Sequence, residues 1–153
     1  MPATLRIKAM DMLARREHSR QEIEEKLIAK LALTGQSRIV LVDVLDHLVS
    51  DGLLSDKRFS ESLLRSRIQK GQGPLRITRE LLKRGVSKEL AHQVIQGSDT
   101  DWQDLAIRVA NKKFRGKEAA DIIEKAKRSR FLHYRGFEAE HISQALAHIS
   151  HQN

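Results

Sequence analysis

Arg79-Glu80-Leu81-Leu82-Lys83-Arg84-Gly85-Val86 returns 51 positions later as Arg130-Phe131-Leu132-His133-Tyr134-Arg135-Gly136-Phe137. The echo runs on, with Glu89 matched by Glu140, Val94 by Ala145 and Ile95 by Leu146. Shifted by 54 instead, Ile23, Leu27 and Ile28 fall on Ile77, Leu81 and Leu82. A repeat of this length is one supersecondary unit that buries its apolar face poorly alone, so copies stack on one another. The spacing inside each copy is helical. Ala9, Met12 and Leu13 share a face, as do Ile23, Leu27 and Leu31, then Leu41, Leu45 and Leu48. The middle copy gives Phe59, Leu63 and Leu64, then Ile77 and Leu81, then Leu90, Val94 and Ile95. The third gives Trp102, Leu105 and Val109, then Ile122, Ile123 and Ala126, then Ile142, Ala145, Leu146 and Ile149.

No strand-like alternation occurs, and the β-branched run Ile39–Val44 sits in a segment of helical period. The expected fold is all-α: three tandem three-helix repeats over residues 1–54, 55–98 and 99–153, forming an elongated scaffold of undetermined curvature. All eight glycines fall at breaks in the apolar pattern, where helices end in a left-handed residue. Pro74 suits a first helical position. Ser19 with Glu22, and Thr100 with Gln103, have the spacing of capping boxes. Residues 117–135 fit either one helix or two joined near Ser129.

The net charge of +8 is unevenly spread. Residues 1–54 hold eight Lys/Arg and eight Asp/Glu, a balance of zero. Residues 55–98 hold ten against four, or +6, and residues 99–153 ten against eight, or +2. An anionic partner would be gripped in the middle. Superposed copies place Arg76, Arg79 and Lys83 on one stripe of the second helix, away from Ile77 and Leu81. Their counterparts are Lys127, Arg130 and Tyr134 in the third copy, and Glu22, Glu25 and Ala29 in the first. Arg65, Arg67 and Lys70 would widen the basic surface from the preceding helix, and Arg84 and Arg135 adjoin the stripes. Neutralising about five phosphates with such a surface implies a log–log salt slope of about −4.5.

Ser87-Lys88-Glu89-Leu90-Ala91-His92-Gln93, in the place of a recognition helix, offers few side chains that read base edges. Phe59, Trp102, Phe114, Phe131 and Phe137 fit core positions; Tyr134 is the aromatic left on a stripe. His141, His148 and His151 follow one helix face but lack cysteine or clustered carboxylates, so no metal site is expected. Cysteine is absent altogether, which excludes disulfides and suits a reducing, cytoplasmic setting. No apolar run reaches the roughly 18 residues of a membrane span. Phosphate loops, nucleophile elbows and paired-carboxylate motifs are missing, so no catalytic residue and no cofactor are expected. A peripheral membrane role fits poorly, because the basic stripe adjoins no exposed apolar face.

Leu48, Gly52, Leu54, Asp56, Arg58 and Phe59, then Arg65 and Arg67, then Gly71, Gly73, Pro74, Arg76, Ile77, Glu80, Leu81 and Gly85 together resemble the signature of the RecX family. These are bacterial regulators of the RecA recombinase. Arg16-Glu17-His18-Ser19 with Glu22 resembles the family's start. Asp101-Trp102 and Arg130-Phe131-Leu132 with Arg135-Gly136-Phe137 resemble its C-terminal part. Leu53 and Ser60 depart from the pattern, where an aromatic and an alanine are common. The resemblance implies three tandem three-helix units in a non-enzymatic regulator, and a monomer is expected. It further implies binding along the RecA–DNA filament, with inhibition of strand exchange, ATP hydrolysis and coprotease activity and effects on the SOS response. The alternative is a general DNA- or RNA-binding protein acting through the basic middle repeat on single- or double-stranded nucleic acid.

Overall fold

The computed structural model describes residues 1–152, with side chains through Ile149. Among the described residues the chain is all-α, with nine helices and no strand. They are α1 Pro2–Arg15, α2 Arg20–Leu31, α3 Gly35–Ser50, α4 Asp56–Gln69, α5 Pro74–Lys83, α6 Lys88–Gln96, α7 Trp102–Phe114, α8 Ile122–Tyr134 and α9 Ala139–Gln152. None of them is long and apolar enough to cross a membrane. The chain forms two compact units: Met1–Ser62 with Leu81–Val94, and Leu63–Glu80 with the chain from Ile95 on.

In the first unit α1 and α2 pack on α3. Leu5, Ala9, Ile23, Leu27, Leu41, Leu45 and Leu48 make the core, each essentially solvent-free. Burying a leucine or isoleucine side chain contributes roughly 1.5–3 kcal/mol, so this one cluster is the main support of the unit. In the second unit α7 and α9 are the closest pair. The reason is compositional: Ala106, Ala110 and Ala145 are buried at that contact and carry little more than a methyl group. Leu132, Phe137, Ile142 and Ile149 fill the space around them. Trp102, Phe114 and Phe131 pack on the same core, half-buried.

The Ser19–Glu22 capping box forms, with both reciprocal hydrogen bonds at 3.1 Å. The Thr100–Gln103 box does not. Helix α7 begins at Trp102, so Asp101 is its N-cap, accepting from the Asp104 amide at 2.9 Å. Thr100 lies one residue too early and its hydroxyl pairs with that of Ser98. Gln103 instead donates to the His141 carbonyl at 3.0 Å.

A second correction concerns α8, which is one helix, preceded by the non-helical segment 117–121. Ile122 and Ile123 are 82% and 68% exposed, and Ala126 is exposed too. At about 100° per residue, Ile123 lies opposite Leu132, nine positions on. Leu132 owns the core face, together with Arg128, only 7% exposed. The Arg128 guanidinium covers the Phe114 ring at 4.5 Å and donates to the Lys117 carbonyl at 2.6 Å. A stripe of correct period was therefore assigned to the wrong side of its helix.

Candidate functional site

Helix α5 starts where the chain cannot carry side chains. The Gly73 amide donates to the Arg135 carbonyl at 2.7 Å, and the Leu75 amide to the Gly136 carbonyl at 2.9 Å. A Cβ on Gly73 would lie 2.5 Å from the Gly136 carbonyl carbon; one on Gly136 would lie 2.6 Å from the Arg76 amide nitrogen. Gly136 also has φ +98°, which side-chain-bearing residues rarely adopt. This joint presses the start of α5 onto the last turn of α8. Arg76 consequently stacks over the Tyr134 ring at 5.0 Å. Arg135 donates to the Lys70 carbonyl at 2.9 Å and covers the Phe131 ring at 4.9 Å.

The stacked pair brings two helix stripes together. Arg79 lies one turn beyond Arg76 on α5, while Arg130 and Lys127 lie one and two turns before Tyr134 on α8. Arg79, Lys127 and Arg130 are exposed, and Tyr134 is 70% exposed. None of the three cations forms an ion pair among the described residues. Arg65 and Lys70 are exposed in the same unit. Arg67 is otherwise engaged: its guanidinium donates two 2.7 Å hydrogen bonds to the Glu80 carboxylate. Those bonds raise its pKa above the ordinary arginine value and hold the fork closed. Sequence spacing marks both residues but does not show that they pair. Lys83 and Arg84 fall in the first unit, Lys83 exposed and Arg84 partly buried.

A matching joint exists in that first unit. The Ser19 hydroxyl donates to the Arg84 carbonyl at 2.6 Å, and a Cβ on Gly85 (φ +91°) would lie 2.6 Å from Gln21 Cδ. Glu22 was expected on an outward stripe; it is 8% exposed. Arg16 and Arg84 reach its carboxylate at 3.0 and 2.8 Å. Burial alone would raise the Glu22 pKa, but the hydrogen bonds from Arg16 and the Ser19 amide and the two positive charges hold it below the usual value. His18, 4% exposed, is shifted down, first by burial and then by Arg16 and Lys26 nearby. The capping-box spacing was the one signal available for Glu22, and it identified half of that residue's bonds.

Two family models match, RecX second three-helix domain over residues 55–95 and RecX third three-helix domain over residues 99–146. The chain belongs to the RecX family. It is 42% identical to regulatory protein RecX of Chromohalobacter salexigens, covering 95% of this chain and 93% of that one. With regulatory protein RecX of Pseudomonas putida the identity is 39%, over 95% and 91% of the two chains. The crystal structure of RecX from Lactobacillus salivarius superposes with a TM-score of 0.80 at 19% identity, covering 97% and 96%. A second solved structure, described as regulatory protein RecX, gives 0.73 at 21% identity, over 95% of this chain and 73% of that one. At those identities the likeness concerns the fold. The chain is thus a regulatory protein of the RecX family, one whose relatives are named as regulators rather than as catalysts.

Several of the RecX motif residues prove to be joint residues. Besides Ser19, Glu22, Gly73, Gly85, Arg135 and Gly136, Asp56 accepts from the Arg20 amide at 2.8 Å and caps α2. Arg58 joins the Gly52 carbonyl to Glu17. Ser60 is fully buried, with its hydroxyl donating to the Asp56 carbonyl at 2.7 Å, so a hydroxyl fits where the family often has alanine. Among the described residues no group of three or more His, Cys, Asp or Glu side chains is placed to hold a metal ion. The His151 side chain lies outside the described ones.

Proposed function

We propose that this RecX-family regulator binds the RecA–DNA filament and inhibits RecA strand exchange, ATP hydrolysis and coprotease activity without catalysing a reaction. Recombination and the SOS response in the cytoplasm would be controlled in this way. The observation that carries the reading is the unpaired cationic surface Arg79, Lys127 and Arg130 around the Arg76–Tyr134 stack, on a chain of this family. Three repeats, over residues 1–54, 55–98 and 99–153, would present several weak contacts to a periodic target. Weak contacts add through effective concentration when their spacing fits the target. The protein acts as a monomer in this reading.

The test is a RecA ATPase titration across a salt series, with wild type and with Arg79→Glu/Lys127→Glu/Arg130→Glu. These side chains are exposed, so helicity should be unchanged. Inhibition should weaken by tenfold or more. Wild-type inhibition by the triple variant would remove this surface from the mechanism, and no inhibition by wild type at any salt would remove RecA.

A second reading is a general nucleic-acid binder, favoured by Tyr134, whose ring is 70% exposed although Arg76 lies over it, and so could take a stacked base. Binding to bare DNA and to a RecA–DNA filament at one near-physiological salt separates the two. Equal affinities support the second reading, and filament-only binding the first.

A further inference from the structure

Residues 1–54 balance their charges but do not mix them. Of eight cations, Lys8, Arg15, Arg16, Lys26 and Lys30 line a single cleft along α1 and α2, with Asp11 the one acidic lining residue. The other three are satisfied elsewhere. Arg6 pairs with Asp51 at 2.9 Å, Arg20 with Asp46 at 2.7 Å, and Arg38 donates to the Leu33 carbonyl at 3.1 Å. In the cleft, Arg16 has Glu22. Lys8, Arg15, Lys26 and Lys30 form no ion pair among the described residues. Helix dipoles favour cations in the last turn, which accounts for Arg15 and Lys30 but not for Lys8 and Lys26. Convergent like charges repel one another, and a polyanion between them reverses the sign of that energy.

The cleft is not purely ionic. Met12 and Ala29 give it an apolar wall, and its volume of about 810 Å³ suits a small organic molecule. His18 adds a polar group that is neither charged nor free to turn. Its Nδ1 bonds the Arg16 carbonyl at 3.0 Å; a carbonyl only accepts, so Nδ1 carries the proton and Nε2 is the acceptor. Four unpaired cations beside an apolar wall and one fixed acceptor match a molecule that is anionic at one end and flat and apolar at the other.

We propose that this cleft binds an organic polyphosphate of the nucleotide class, with its ring over Met12 and Ala29 and its phosphates on Lys8, Arg15, Lys26 and Lys30. The site is built from residues of the first unit and the Arg79–Arg130 surface from residues of the second, and its test contains no RecA. ATP, inorganic triphosphate and a short oligothymidylate are titrated into the full chain, with calorimetry for affinity and amide chemical shifts for location. ATP should shift Met12, His18 and Ala29 and bind more tightly than triphosphate. Lys26→Ala/Lys30→Ala, two exposed positions, should weaken ATP about tenfold with unchanged circular dichroism. Three results overturn the proposal: no cleft shifts at millimolar ATP, an unweakened double variant, or triphosphate binding as well as ATP. Tighter cleft binding by the oligothymidylate than by ATP also overturns it, in favour of a nucleic-acid contact.

Discussion

The α2–α5 joint and the α5–α8 joint are the same device built with opposite electrostatics. Ser19, Gln21 and Glu22 in one correspond to Gly73, Leu75 and Arg76 in the other; Arg84 and Gly85 correspond to Arg135 and Gly136. In both, a donor at the helix start meets the arginine carbonyl, at 2.6 and 2.7 Å, and a left-handed glycine admits the next helix. The side chains then diverge. Glu22 turns inward and binds Arg84, whereas their counterparts Arg76 and Arg135 are both cations, and each stacks on an aromatic ring instead. Backbone geometry is thus the retained part of the repeat. Charge is the part free to change, and in the second joint the change leaves Arg76 beside solvent on the candidate surface.

The largest expected effect comes from the glycines. Gly136→Ala should lower unfolding free energy by about 3 kcal/mol, combining left-handed strain with displacement of the α5 backbone. Gly85→Ala should cost less, about 2 kcal/mol, because its obstacles all belong to the Gln21 side chain. Urea unfolding with a double-mutant cycle sharpens the difference. Gln21→Gly should recover part of the Gly85→Ala loss, while Arg76→Gly should recover little of the Gly136→Ala loss, since the Arg76 amide nitrogen remains. Equal recovery would break the distinction between the joints.

Next comes the buried acid. Glu22→Gln should destabilise by roughly 1–3 kcal/mol, because Arg16 and Arg84 lose their shared carboxylate. Arg76→Gln removes a surface cation–π contact and a long 3.5 Å hydrogen bond to the Tyr134 carbonyl, and should cost under about 1 kcal/mol. Thermal melts of both variants check the order.

Acid should act on the first joint alone. Glu22 is depressed in the fold, so its contribution is complete above the ordinary 4.5 and is lost as pH falls through its folded value. His18 is depressed as well. Below 6.5 the unfolded chain takes up a proton that the folded joint resists, so stability declines as pH drops from there toward the folded value. Protection factors of the α2 amides, corrected for the intrinsic pH dependence of exchange, should fall between pH 7 and 5.5, while emission from Trp102, in the second unit, stays constant. A parallel change in Trp102 would show the acid response to be general.

The smallest stability effect is expected from Arg76→Glu, which copies the first joint's acid into the second, where Arg135 is the counterpart of Arg84. The melting temperature should stay within about 2 °C, while inhibition of RecA ATPase weakens. A large loss of stability would mean that the two joints tolerate charge differently.

Much of this was legible beforehand. The offset echo, the glycine positions and the helical spacing predict nine helices and most of the core, from Leu41, Leu45 and Leu48 to Ile142 and Ala145. The failures have separate causes. Ile122, Ile123 and Ala126 have helical period, but period cannot say which side of α8 meets a neighbour, and Arg128 took the core face. Thr100 missed the cap by a single residue, within the ordinary uncertainty of a helix boundary. Arg67 and Arg84 read as surface cations until Glu80 and Glu22 are seen beside them.

What the sequence determined by itself was periodic and local: helices, their ends, the repeat and its uneven charge. These follow from backbone geometry acting over a few residues. Tertiary structure alone decided which charges are free. Ion pairs join residues as far apart as Glu22 and Arg84, and such partners are chosen by how helices pack. The free cations Arg79, Lys127 and Arg130, and the convergence of Lys8, Arg15, Lys26 and Lys30, therefore emerge only in the folded chain.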